Sequence, residues 1–152
     1  MSNEKKKIVF LANIDSFFIS HRLEIGKQML SNGYDVHIAA EFTKYKKRLT
    51  KMGFKTHNIQ FSRNSLNLFK LIKPLIQIFY LFISQKPNIL HLISLKPIVF
   101  GGIVSILTPV KSIVISITGF GSIYIGKSIG FRLKQILINL ILLIIFLKKN
   151  IK

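Results

Sequence analysis

The chain has 152 residues, 49% of them hydrophobic and 18% charged, enough for one folded domain that buries about two-thirds of its unfolded surface. With no cysteine it excludes disulfides and thiolate zinc sites, and its hydrophobic content excludes a disordered polymer. The formal net charge is +18, and all five acids lie in residues 1–41 beside five of the 23 bases; residues 42–152 therefore carry eighteen bases and no acid, a field that attracts anionic lipid, nucleic acid or phosphorylated substrates.

The first element is a continuous apolar run, which predicts a strand covered on both faces over residues 7–12. This run is too short for a signal-peptide core. Residues 13–20 read as a loop, and Ser20 is placed to cap a helix over 21–32. Leu23, Gly26, Met29 and Leu30 share one face of that helix, and Gly33 stands as its stop. A second strand follows over 35–40. Thr43 is placed to cap a basic helix over 44–52, which Gly53 ends, and a third strand covers 54–61. A longer helix runs from Asn64 or Ser65 to about Gln85, with a kink expected at Pro74. Pro87 breaks the chain before a fourth strand over 88–93; a helix over 97–107 and a fifth strand over 112–118 follow. A glycine-containing loop then leads to Gly130, and a last helix fills 131–149. Its longest apolar run, 136–147, includes Asn139 and falls short of the about 20 residues of a bilayer span.

Five strands alternating with helices imply right-handed crossovers and an α/β fold: a Rossmann-like, doubly wound parallel sheet with helices on both sides. Ligands of such sheets bind at the C-terminal strand ends, which directs attention to the loops 13–20, 61–65, 94–97 and 118–129.

Several chemistries are excluded by missing signatures. The phosphate loop, the zinc-protease helix, the nucleophile elbow and the paired-cysteine motif are all absent. Gly119 and Gly121 are followed by Gly126, so the third glycine is misplaced for a dinucleotide fingerprint, and no cofactor is expected. Among candidates for binding, Asn13, Asp15 and Ser16 stand at the end of the first strand, and His21 and Arg22 at the predicted helix start. Free N–H groups and a guanidinium there attract a phosphate or carboxylate; alternatively Ser20 merely caps and Arg22 is solvated. His91 sits within an apolar strand. It is either a satisfied core residue or a cleft-facing hydrogen-bond partner near Ser94 and Lys96. His37 and His57 lie in predicted strands with no partner in view and receive no role. Gly119 and Gly121 allow a backbone to approach a ligand, or simply a turn. Lys44, Lys46, Lys47, Arg48, Lys51 and Lys55 form a basic patch without acids, extended by Arg63 and Lys73. The helix ending near Gln85 is apolar on more sides than one sheet contact needs, which fits a membrane-surface helix or one covered by a partner domain.

Taken together, the opening over 6–22, the segment Phe61, Ser62, Arg63 and Asn64, the unit over 86–97 with Gly101 and Gly102, and the loop Thr118, Gly119, Phe120 and Gly121 resemble bacterial glycosyltransferases of the family-4-like, GT-B type. The resemblance covers nearly the whole chain. It implies two Rossmann-like domains across a cleft: an N-terminal one that binds the acceptor and touches the membrane, and a C-terminal one that binds the nucleotide sugar through paired glutamates. Residues 1–152 then correspond to the N-terminal domain, C-terminally incomplete, without the donor-binding domain. The resemblance further implies transfer, with retention, onto a polyprenyl-diphosphate-linked saccharide at the inner face of the cell membrane. It places Asn13, Asp15, Ser16, His21, Arg22, Arg63, His91, Lys96, Gly119 and Gly121 around the acceptor, with no metal. Relatives often carry a histidine in the loop after the fifth strand; here that loop has none, so no catalytic residue is assigned. The lone domain is expected to be inactive, as a truncated enzyme or one subunit of a split one.

The alternative is a basic nucleic-acid- or membrane-binding module without catalysis. No nucleic-acid motif is present, so no specific nucleic-acid partner is expected. A sugar-nucleotide epimerase would share the fold.

Overall fold

A computed structural model describes residues 5–61 and 68–117, together with residues 132, 135, 136, 139, 140, 142, 143 and 147. The elements are β1 (Lys7–Ile14), α1 (Asp15–Ser31), β2 (Asp35–Glu41), α2 (Lys46–Lys51), β3 (Lys55–Asn58), α3 (Leu68–Gln85), β4 (Ile89–Ile93), α4 (Leu95–Ile106) and β5 (Ser112–Ser116). The five strands form one parallel sheet in the order β3-β2-β1-β4-β5. This is the predicted doubly wound, Rossmann-like α/β architecture.

The sheet is buried on both faces, which is why β1 reads as an unbroken apolar run. Ile8, Phe10, Ala12, Val36, Ile38 and Ala40 turn towards Phe18 and Leu23 of α1, Leu49 of α2, and Phe54. Their alternate neighbours Val9, Leu11, Ala39, Leu90 and Leu92 turn towards Ile78 and Phe82 of α3 and Ile98 and Val104 of α4, a cluster that Leu142 joins. Each fully buried Phe, Leu or Ile contributes roughly 1.5–3 kcal/mol. α4 can lie this close to the sheet because Gly101 has no side chain; a β-carbon there would sit 2.5 Å from Leu92 and 2.7 Å from Leu11.

The glycine punctuation holds. Gly33 follows α1 with φ +81, donating to Leu30 O while Tyr34 N reaches Met29 O, the pair of bonds that closes a Schellman end. Gly53 ends α2 in the same left-handed region, with φ +93.

Several expected boundaries move. Residues 13–20 are not a loop: β1 runs to Ile14 and α1 begins at the next residue. The reason is packing, since Phe18 wedges edge-on between Phe10 and Phe54 at 5.3 and 5.7 Å and needs helical backbone to reach them. Ser20 consequently lies inside α1, its Oγ donating to Ser16 O at 3.0 Å instead of capping. Thr43 is not the cap of α2, which starts only at Lys46 with no side-chain cap. β3 is shorter than 54–61, because Phe54, Ile59 and Phe61 leave the ladder to fill the cores beside it. α4 begins two residues before Pro97, β5 ends at Ser116, and α3 passes through Pro74 unbroken. The predicted helix start at 64–65 and the loop after β5 lie outside the described residues, as does most of the last helix. Among the described residues no helix is long and apolar enough to cross a membrane.

Candidate functional site

Strand order reverses between β1 and β4: β1 leads to α1 on one face and β4 to α4 on the other. The crevice outside the C-terminal ends of these two strands is the switch point, where doubly wound sheets bind ligands. Ala12 pairs with Ile93, so Asn13 and Ser94 emerge side by side at its floor. Asn13 is half-buried, and its Oδ1 is fully buried without a partner among the described residues. Ser94 adopts φ 72 and ψ 163, a conformation that side-chain-bearing residues rarely hold, and it opens α4 without a side-chain cap. Ser94 N donates to Ser116 O at 3.1 Å, tying β4 to β5.

One wall is polar and cationic. His91 is buried, with its Nε2 2.7 Å from Ser116 Oγ and its ring tilted on Phe10 at 5.1 Å. Burial, helped by the charge of Arg22, lowers its pKa to about 4, so at neutral pH the imidazole is uncharged. A serine beside a histidine suggests a nucleophile and its base. Here the base is too weak, a nearby guanidinium opposes its protonation, and no carboxylate orients it among the described residues. The pair is suited to hydrogen bonding. The charge comes from Arg22, whose Nη1 donates to His21 O at 2.7 Å and whose buried Nε has no partner among the described residues.

The remaining predicted residues separate into groups. Asp15 is fully buried. Its Oδ2 accepts from the backbone N–H groups of Thr43, Lys44 and Tyr45 at 2.8–3.0 Å, and its Oδ1 accepts from Thr43 Oγ1 and Ser16 N. Burial alone would raise its pKa, but these bonds outweigh it and hold the carboxyl below its ordinary value. Asp15 thus satisfies the free N–H groups ahead of α2, the task expected of Thr43, and pins the loop after β2 against the start of α1. Ser16 is half-buried beside it. His21 stays on the exposed side of α1, stacked on Phe17 at 4.8 Å and 2.6 Å from Ser20 Oγ. Lys96 is exposed in the first turn of α4. Arg63, Gly119 and Gly121 lie outside the described residues. His21 and Arg22 lie about two turns inside α1 and not at its start, so the free N–H groups of that helix are not beside them. Arg22 is near enough to His91 for its charge to act there, and the strand ends Asn13 and Ser94 lie side by side.

Ser116 and the 43–45 loop escaped the sequence reading. Parallel neighbours place successive strand-end loops side by side, so an acid after β1 facing the loop after β2 was a usable signal. A second pairing was also missed: His37 Nδ1 lies 2.8 Å from His57 Nε2 with the rings stacked, and Asp35 Oδ2 lies 3.1 Å from His37 Nε2. Burial lowers both imidazoles, that of His57 to about 4, with the neighbouring His37 and Lys55 adding to it.

A profile of the family described as glycosyl transferase 4-like matches residues 7–142. Among solved structures the chain is similar to a glycosyltransferase from Rickettsia africae ESF-5, with TM-score 0.58 and 17% identity over 83% of this chain and 34% of that one. It is similar to MurG of Acinetobacter baumannii, with TM-score 0.58 and 18% identity over 72% and 33%. It is also similar to the UDP-GlcNAc 2-epimerase of Methanocaldococcus jannaschii, with TM-score 0.55 and 16% identity over 90% and 37%. At these identities the likeness is one of fold, and the chain spans about a third of each structure's length. No sequence among the curated proteins matches.

Proposed function

The chain belongs to the glycosyl transferase 4-like family, and on that premise we propose that it is the acceptor-binding half of a glycosyltransferase that moves a sugar from a nucleotide sugar to a polyprenyl-diphosphate-linked saccharide. The observation that carries this reading is Arg22, whose buried Nε has no partner among the described residues, beside a neutral imidazole at the switch point. A diphosphate offers the acceptor oxygens that a guanidinium fork lacks. His91 and Asn13 suit the uncharged hydroxyls of the attached sugar, since both can exchange hydrogen bonds without adding charge.

In this arrangement the domain's contribution is positional. It holds the acceptor hydroxyl at a fixed place and closes one side of the cleft against water, while a facing domain holds the nucleotide sugar. The lipid tail has a matching surface. Ile72, Ile76, Phe79, Tyr80 and Ile83 of α3 and Ile103, Ile106 and Leu107 beyond it are exposed, which favours peripheral attachment at the inner face of a cell membrane.

The test is calorimetric titration of the chain with a short-chain polyprenyl-diphosphate saccharide, beside an Arg22→Ala variant. The reading expects saturable binding that weakens about tenfold in the variant, the scale of one lost charge-assisted contact. Binding that is absent, or equal for any polyanion and indifferent to Arg22, contradicts it.

A further inference from the structure

The opposite edge of the sheet holds a second concentration of charge that the cleft does not use. A cavity of about 650 Å³ opens there, lined by Lys5, Lys6, Lys7, Lys86 and Lys111 around Asn88. Its volume lies within the roughly 300–1,000 Å³ of small-molecule sites. The five lysines come from three separate stretches: the entry to β1, the turn before β4 and the turn before β5. Parallel strands start side by side, so the fold gathers these stretches into one place.

The rim is held by backbone. Lys7 N donates to Asn88 Oδ1 at 2.8 Å, Asn88 N returns to Lys7 O at 2.9 Å, and Ser112 N reaches Asn88 O at 3.0 Å. Lys86 follows directly on α3 with φ +47. Glycine or asparagine is the ordinary residue for a left-handed position at a helix end. A lysine there keeps an ammonium group at the rim in spite of backbone strain, and strain of this kind collects at functional sites.

The bland explanation is that the lysines neutralise the C-terminal end of α3. A helix end carries about half a unit of negative charge, which one lysine balances. Asp35, the carboxylate at the start of β2, is engaged by Lys55 at 2.8 Å. Glu4, outside the described residues, can balance one more. Among the described residues, at least three of the five positive charges then have no counterpart, and a multivalent anion supplies it.

We propose that this cavity is an anion site for a compact multivalent phosphate, presented either by a lipid headgroup or by a free polyphosphate. It lies at the N-terminal ends of the strands, and β1 is eight residues long. At about 3.3 Å per residue this puts it roughly 23 Å from the switch point, so its occupant does not compete with an acceptor in the cleft.

The experiment uses the whole chain and two probes: sodium tripolyphosphate by calorimetry, and phosphatidylcholine vesicles with and without phosphatidic acid by flotation. A Lys86→Ala/Lys111→Ala variant is compared with a charge-matched control, Lys46→Ala/Lys47→Ala, on the exposed side of α2. The proposal expects saturable one-to-one binding of at least one probe, weakened about tenfold in the cavity variant and less than about twofold in the control. Tripolyphosphate bound without vesicles identifies a free phosphate, and vesicles bound only with phosphatidic acid identify a headgroup. Lys86→Gly separates binding from folding, because relaxing the left-handed backbone should raise the unfolding midpoint while binding weakens. Saturable binding of neither probe, or equal losses in the cavity variant and the control, overturns the proposal.

Discussion

The two faces of the sheet start from the same five strands and end differently. On the α1–α2 face, aromatic side chains fill the space between sheet and helix, and Asp15 stitches α1 to the loop before α2. The only large hydrophobic residue of those helices left exposed is Ile25, 41% accessible. On the α3–α4 face the inner residues Ile78, Phe82, Ile98 and Val104 are as well buried, but a second apolar stripe looks outward: Ile72, Ile76, Tyr80 and Ile83 on α3, and Ile103, Ile106 and Leu107 beyond it. The spacing of the α3 stripe is that of one helix face. One sheet face is therefore finished within the domain, whereas the helices of the other remain apolar on both sides. Core packing accounts for the first stripe of α3 and not for the second.

The largest test of that contrast is Asp15→Ala. It removes the carboxylate that the N–H groups of residues 43–45 share, and since a hydrogen bond to a charged group contributes roughly 1.5–3 kcal/mol, urea unfolding should show a loss of about 3 kcal/mol. A loss below about 1 kcal/mol would mean that Asp15 does not hold the closed face together. Next in size is Ile76→Ser/Tyr80→Ser on the open face. Because these residues are 50% and 68% exposed, stability should change by no more than about 0.5 kcal/mol each, while flotation with anionic vesicles should fall about tenfold. A large stability loss with unchanged flotation would make this stripe part of the fold after all.

The smallest effect concerns pH. In the unfolded chain the His91 imidazole takes up its proton near pH 6.5, whereas in the folded domain burial delays this to about 4. Stability is therefore complete above pH 6.5 and drains as the pH falls towards 4. The loss from this residue should be about 1 kcal/mol between pH 7 and 5.5. His91→Gln should remove that part of the slope. An unchanged slope would mean that the imidazole is already protonated, or accessible to water, in the folded state.

Much of the fold was legible because its signals are local. Gly33, Gly53 and Pro87 mark the element ends, and the unbroken apolar run of β1 marks a central parallel strand. The start of α1 was not legible. Its first turn mixes polar and aromatic residues, and what fixes it, Phe18 against Phe54 and Asp15 against residues 43–45, lies some 30 residues downstream. His37 and His57 had no visible partner for the same reason: their pairing depends on the register of β2 against β3. At the candidate site, the loop signal pointed to the C-terminal strand ends but assigned no task to each residue. Asp15 proves to be a structural clamp in the folded chain, while Ser116, which pairs with His91, carries no sequence signature at all.

The central claim is that an acceptor enters between β1 and β4. Amide chemical shifts of the labelled chain, followed during addition of a soluble short-chain polyprenyl-diphosphate saccharide, test it most directly. The account predicts saturable changes concentrated at Asn13, Arg22, Ser94 and Lys96, lost in Arg22→Ala, whereas any shifts at Lys5, Lys86 and Lys111 belong to the separate anion cavity and persist in that variant. Saturable changes confined to the lysine-lined cavity or to α3, with the switch point silent, would contradict it.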